Sequence, residues 1–227
     1  MGSHHRRRPG RCPAPTTAWP GEPWPGPGER AALLDWLAGC TQHLLDALRE
    51  AGPDRACWAW WEELQATRTS GAAARHQLQE IAVHTYDAQL AAGDAQPLPA
   101  QVAIDGIEDF QVTCVATATP WPHEPVIVDY HATEGRSWRL TLSAAGAHTT
   151  RLDDKDTHAE GEAGVAATAS ASDLELFVYG RLPLESVKVD GDHRHFERLI
   201  EWDPQRLRLG TWGRSAEHAP HLAQHPR

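Results

Sequence analysis

Arg75-His76-Gln77-Leu78-Gln79-Glu80-Ile81-Ala82-Val83-His84-Thr85-Tyr86-Asp87 is a run whose side chains sort cleanly once it is wound as a helix. At about 100° per residue, His76, Glu80, His84 and Asp87 stand at i, i+4, i+8 and i+11 and share one narrow stripe. Val83 and Leu90 border that stripe on one side, Ile81 and Ala88 on the other. A polar stripe between apolar flanks predicts a helix whose polar groups face inward, and every member of the stripe can ligate a metal.

Two side chains one turn apart can converge on one ion, and imidazole nitrogen with carboxylate oxygen suits zinc or a similar first-row metal. Catalytic sites of this kind commonly take three protein ligands and leave a place for water or substrate. One helix supplies two of the three, Glu80 and His84, with the last expected from elsewhere in the chain. The plainer alternative is an i,i+4 polar pair worth a few tenths of a kcal/mol.

Outward from this helix, the first half is helical throughout. Leu33, Leu34, Leu37, Cys40, Thr41, Leu44, Leu45 and Leu48 trace one face of a helix that starts at Ala31 and stops at Gly52-Pro53. His43 lies off that face and is expected in solvent. Cys57-Trp58-Ala59-Trp60-Trp61 follows, either as an apolar plug over the helices or as a surface on which a substrate stacks. The striped helix spans about residues 72–92, Pro97-Leu98-Pro99 makes a rigid turn, and another helix covers residues 100–115.

Two prolines in residues 117–124 mark a change of character. Val126-Ile127-Val128-Asp129-Tyr130-His131 and Ser137-Trp138-Arg139-Leu140-Thr141-Leu142 alternate at period two and predict strands, with a hairpin turn at residues 143–146. Residues 148–152 and 165–169 predict two more strands across an acidic loop. Residues 170–180 predict a helix, 187–189 a short strand and 193–202 a closing helix. The expected class is α plus α+β, with helices against a mostly antiparallel sheet in the second half.

The 227 residues allow one large domain or two small ones. A net charge of -10 argues against nucleic acid and anionic membrane as partners. Cys12, Cys40, Cys57 and Cys114 are scattered without framework or zinc-thiolate spacing, which fits a reducing, cytoplasmic setting. No apolar run reaches the ~20 residues of a membrane span.

Arg75 to Gln89 with Leu90-Ala91-Ala92-Gly93, Asp105-Gly106-Ile107-Glu108-Asp109-Phe110 and Trp58-Ala59-Trp60-Trp61 together resemble the mycothiol-dependent maleylpyruvate isomerase family. In the second half Trp138-Arg139-Leu140-Thr141-Leu142, Ala171-Ser172-Asp173-Leu174, Gly180-Arg181-Leu182-Pro183-Leu184 and Asp190-Gly191-Asp192 fit the same pattern. The resemblance implies a DinB-like helical bundle followed by a sterol-carrier-like α+β domain, an actinobacterial source, a zinc-type metal and mycothiol as cofactor. It places Glu80 and His84 as metal ligands and Asp87 as the acidic support behind them. Arg181 matches an arginine that faces an anionic substrate; the competing role is a helix C-terminal arginine on the last carbonyls.

The sequence departs from the family in two places. Family members carry an earlier helix with a further ligating histidine, where this sequence has the Pro-rich residues 1–30, and Gln79 stands where a histidine is usual. An incomplete bundle with two of three ligands is therefore expected. His76 is the candidate for the vacancy, although i to i+8 spans two turns, about 12 Å, and needs Glu80 between. The expected organisation is a disordered segment 1–30, a metal-binding helical bundle 31–118, an α+β domain 124–203 and a disordered tail 204–227. The function expected is metal-activated thiol addition to a small electrophilic carboxylated substrate. The alternative is an inactive truncated relative that binds a small ligand or a partner.

Overall fold

The computed structural model describes residues 30–61, 64–152 and 161–202. Residues 1–29, the acidic stretch 153–160 and the tail 203–227, for which disorder or loop is expected, lie outside the described residues. Helix α1 (Arg30–Ala51) leads through the tryptophan connector to α2 (Ser70–Ala91) and, after a proline turn, to α3 (Ala100–Phe110). Helix α2 begins where Thr69 Oγ1 accepts from the amide of Ala72 at 3.3 Å. It ends at Gly93, whose φ of 78° is the left-handed conformation that stops a helix. The helix predicted as one piece over residues 100–115 is α-helical only to Phe110. Gln111–Val115 widens into a π-turn, closed by Ala116 N donating to Gln111 O at 2.8 Å, which turns Gln111 and Thr113 inward.

Five strands follow: β1 (Val126–Ala132), β2 (Arg136–Ser143), β3 (Gly146–Leu152), β4 (Val165–Ala169) and β5 (Lys188–Gly191). Their order is β3-β2-β1-β4-β5, with β1 and β4 parallel and every other pair antiparallel. Helices α4 (Ala171–Val178) and α5 (Arg194–Glu201) complete the fold. This is the α plus α+β class that the alternation pattern predicts.

The inward residues of β1 and β2, Val128, Tyr130, Trp138, Leu140 and Leu142, are buried with Leu174 of α4 and Phe196 of α5. Ala103 and Ile107 of α3, both at 0% exposure, belong to the same cluster. The composition break at residues 117–124 therefore does not divide the core: α3 packs into the sheet module. Gly106 makes this contact possible, since a Cβ there would overlap the Glu175 carboxylate of α4 and stand 2.6 Å from Gln79 Oε1.

Three packing expectations change. Helix α1 buries none of its residues among those described, and Leu34, Leu37, Leu44 and Leu45 of its predicted apolar face are exposed. On α2 the buried residues are Ser70, His76, Gln79 and Val83, while Ile81 and Leu90 are exposed. The stripe thus enters the protein at His76 and leaves it by His84, because α3 covers only one side of α2. In the connector, Trp61 is buried at 3% exposure but Trp58 points outward at 67%. Trp61 and Ala59 form the plug, since an extended connector sends alternate side chains to opposite sides.

Candidate functional site

The stripe of α2 is the centre of a continuous row of imidazoles and carboxylates. His76 Nδ1 is 2.8 Å from Asp109 Oδ2 of α3, and both side chains are buried. Its other nitrogen, Nε2, is turned to Glu80 Oε1 at 3.6 Å. On the far side of the same carboxylate, His84 Nε2 lies 3.5 Å from Glu80 Oε2. His84 Nδ1 is in turn 2.9 Å from Asp87 Oδ2. Glu80 therefore sits between two imidazoles, each with its Nδ1 on another carboxylate.

Arg181, just past α4, anchors the outer end. Its Nε donates to Asp87 Oδ1 at 3.1 Å and its Nη2 to Asp87 Oδ2 at 2.9 Å, a two-nitrogen fork on one carboxylate. The hydrogen bonds from Arg181 and then His84 hold the Asp87 carboxyl down at about 2. Arg181 Nη1 also donates to Tyr179 O at 2.7 Å. Of the two roles expected for Arg181, the helix-end contact is made, through Nη1 to the carbonyl of Tyr179 that caps α4, while its Nε and Nη2 fork is filled by Asp87 of the helical half.

The inner end is fixed by α3. Arg75 Nε reaches both Asp105 oxygens at 2.9 Å, and Gln79 Nε2 donates to Asp105 Oδ2 at 3.0 Å. The rings of Trp60 and Trp61 lie 5.6 and 5.3 Å from the His76 ring and close it off from the surface. Of the predicted site residues, the structure brings His76, Glu80, His84, Asp87 and Arg181 into one row. His43 is exposed and takes no part.

Sequence reasoning assigned no role to Asp109, Gln79 or Glu175. Asp109 lies in the Asp105-to-Phe110 motif and alternates there with buried Gly106 and Ile107, a signal that it points inward. Nothing in the local sequence of Glu175 marks it, because its surroundings come from α2 and α3.

Beside the row opens a cavity of about 630 Å³ between the π-turn, α4 and α5. Trp60, Phe110, Cys114, Tyr130, Phe177 and Tyr179 are among its walls, and among the described residues no charged side chain lines it. Burial pushes the Cys114 thiol up to about 12, helped by the charges of Asp109 and Glu80. Burial likewise raises Tyr179, with Cys114, Asp109, Glu175 and Glu80 adding to it. The acidic row is thus electrostatically felt at the cavity wall.

Whether these residues suit a metal can be judged from their donors. Nitrogen and carboxylate oxygen fit zinc or a similar ion, and a carboxylate on Nδ1 is the usual companion of a ligating histidine. The contacts of 3.5 and 3.6 Å around Glu80 exceed an ordinary hydrogen bond. Against this, no three His, Cys, Asp or Glu side chains among the described residues form a group that could hold a metal ion. The pair Glu80 and His84 fits; the described residues do not close a three-ligand set around it.

Comparison with known proteins bears on the helical half. Residues 8–89 match the family model described as "Mycothiol maleylpyruvate isomerase N-terminal domain", a span that runs from the Pro-rich segment through α1 and nearly to the end of α2. No curated protein matches the chain. Among solved structures, the sec-alkylsulfatase Pisa1 from Pseudomonas sp. is 17% identical with a TM-score of 0.28, and the match covers 35% of this chain but 13% of that one. A UbiJ-SCP2 ubiquinone synthesis protein is 13% identical over 57% of this chain and 90% of its own, with a TM-score of 0.25. Sterol carrier protein 2 from Yarrowia lipolytica, in its apo form, is 13% identical over 59% and 94%, with a TM-score of 0.22. Likenesses this distant add nothing to the site. No helix among the described residues is long and apolar enough to cross a membrane.

Proposed function

We propose that this chain works as a mycothiol-linked isomerase or thiol transferase, acting on a small electrophilic molecule at the row from Asp109 to Arg181. The observation that carries the reading is the paired orientation of His76 and His84. Each has Nδ1 on a carboxylate and Nε2 turned to the same Glu80. The match of residues 8–89 to the isomerase N-terminal domain supports the thiol and the reaction class.

Glu80 and His84 would hold a divalent metal, with Asp87 fixing the tautomer of His84 and Arg181 fixing Asp87. His76, oriented by Asp109, is the further nitrogen on the same carboxylate. When bound, such a metal favours the thiolate form of a thiol, which is the nucleophile. The chain's own residues do the rest. Trp60 and Trp61 keep water from the inner imidazole, and the apolar cavity receives the body of the substrate or thiol. Arg181 acts through Asp87, and meets a substrate carboxylate only if that carboxylate displaces Asp87 from its fork.

The test is the metal content of the purified protein by mass spectrometry, wild type beside His84→Ala, together with isomerisation of maleylpyruvate in the presence of mycothiol. About one zinc per chain, lost in the variant along with thiol-dependent turnover, is expected. Metal-free wild-type protein without turnover refutes this reading. A second reading has an observation of its own, the uncharged cavity of about 630 Å³. On that reading the chain is an inactive relative that binds a small apolar ligand, and it takes up such a ligand without metal or thiol.

A further inference from the structure

Glu175 is a charged residue type at 0% exposure, and neither of its carboxylate oxygens has a hydrogen-bond partner among the described residues. Gln79 of α2 is also at 0% exposure, and its Oε1 is likewise unpartnered. Both groups reach into the space that a Gly106 side chain would fill: a Cβ on that glycine would overlap the Glu175 carboxylate and lie 2.6 Å from Gln79 Oε1. Two buried acceptors in this position leave both unsatisfied, at the desolvation cost of each group. Turning the Gln79 amide does not help, because its Nε2 is already engaged by Asp105 at 3.0 Å. One proton between them pairs Gln79 Oε1 with one Glu175 oxygen and removes the charge from the buried carboxyl, and only the carboxyl can carry it.

We propose that Glu175 keeps its proton in the folded protein and donates it to Gln79 Oε1, acting as a positioning residue that latches α4 onto α2 one position before Glu80. The latch does not depend on the metal or thiol reading of the row.

The surrounding charges favour the neutral acid. Burial is the first cause of the raised carboxyl, at about 8, and Asp105 and Asp109 of α3 add to it. Tyr179, just past α4, and Cys114 of the π-turn bring no positive charge. The cation of α2, Arg75, is committed to Asp105, and His76 to Asp109. Of the other elements packed on α4, β4 brings no titratable residue. β1 brings Tyr130, Asp129, which is paired with Arg139, and His131, which is bonded to Ser137. The 3-10 turn Leu184–Ser186 brings only the exposed Glu185. Above the folded value the latch loses its proton and two acceptors are left opposed.

The linkage follows from the direction of the shift. A carboxyl raised in the folded state holds a proton that the unfolded chain has released. The folded-to-unfolded ratio therefore falls as pH rises from the ordinary carboxyl value of 4.5 to about 8, and is flat beyond. The fall is about tenfold per pH unit.

Carbon NMR of the full chain labelled at glutamate side-chain carboxyls, titrated from about pH 5 to 10, tests the proposal. One resonance with a midpoint near pH 8, missing in Glu175→Gln, is expected. In Gln79→Met, which removes the acceptor of the protonated form, that midpoint moves down by about one unit. Urea midpoints of the wild type decline over the same interval, and those of Glu175→Gln do not. Absence of any glutamate carboxyl titrating above about pH 6, or a midpoint unmoved in Gln79→Met, overturns the latch. Should Glu175→Gln fail to fold, the wild-type and Gln79→Met titrations decide alone.

Discussion

Gly106→Ala is the smallest change that strikes the junction of α2, α3 and α4. In an exposed helix interior, alanine for glycine adds about 1 kcal/mol of stability. Here the added methyl overlaps the Glu175 carboxylate and stands 2.6 Å from Gln79 Oε1, and both of those side chains are at 0% exposure. Overpacking of a filled core costs about 1–3 kcal/mol. The upper end is taken because two side chains, both at 0% exposure, must shift at once to admit the methyl. The net expectation is a loss of about 2 kcal/mol, which lowers Tm by ~4–8 °C for a chain of this size. Urea unfolding followed by tryptophan fluorescence measures it as a lowered midpoint at unchanged slope. A cycle with Glu175→Ala identifies the obstacle. With the carboxyl gone, the methyl has only Gln79 Oε1 left to displace, and the double variant is more stable than the two single changes predict by over ~1 kcal/mol. Stability of Gly106→Ala at or above wild type, or strict additivity in the cycle, refutes the geometry of the junction.

Trp61→Ala, which removes a buried ring from beside His76, should cost ~3–5 kcal/mol in the same assay, whereas Trp58→Ala at the exposed position should stay within ~0.5 kcal/mol. Alkylation by iodoacetamide at pH 8, mapped by mass spectrometry, should label Cys114 last. A thiol pushed up to about 12 holds roughly a thousandfold less thiolate there than an unperturbed one. Arg181→Met should cost about 1 kcal/mol at neutral pH, a figure discounted because the Arg181–Asp87 pair is about a third exposed. A depressed carboxyl stabilises above its ordinary value of 3.8 and loses that contribution as pH falls through the folded value of about 2. The gap between wild type and variant, measured by urea midpoint, should therefore close over that window.

The elements of this fold are marked by periodicity and by turn residues, and both are local. The alternation in Val126-to-His131 and Ser137-to-Leu142 leads directly to β1 and β2, and Gly93 and Pro99 mark where α2 ends and α3 begins. What a helix packs against is not local. The Leu34, Leu37 and Leu44 face of α1 has the spacing of a core helix and no described neighbour to bury it. The stripe on α2 likewise shows which side chains share a face. It does not show that α3 covers His76 and leaves His84 at the surface. Asp109 joins the site across 33 residues of sequence, and Arg181 joins Asp87 across 94. Such pairings depend on the crossing of helices, and no window of sequence contains them. The same limit hid Glu175, whose carboxyl lies against Gly106 of α3 and feels the charges of Asp105 and Asp109 there.

The sheet order β3-β2-β1-β4-β5 has a consequence for the order in which the molecule can assemble. β1 pairs with β2 across a tight turn, but its parallel partner β4 begins 39 residues after β1 does. Contacts of such long separation close slowly, since the loop entropy is lost before the pairing rewards it. Helix α4 follows β4 directly and supplies the residues that cover Ala103, Gly106 and Ile107. As the chain leaves the ribosome, α2 and α3 are therefore synthesised long before anything exists to cover them. The inner half of the imidazole row waits, with its apolar neighbours in water, for the second module to arrive. A nascent chain arrested before residue 170 should on this account be a good client for chaperones that bind exposed apolar helices.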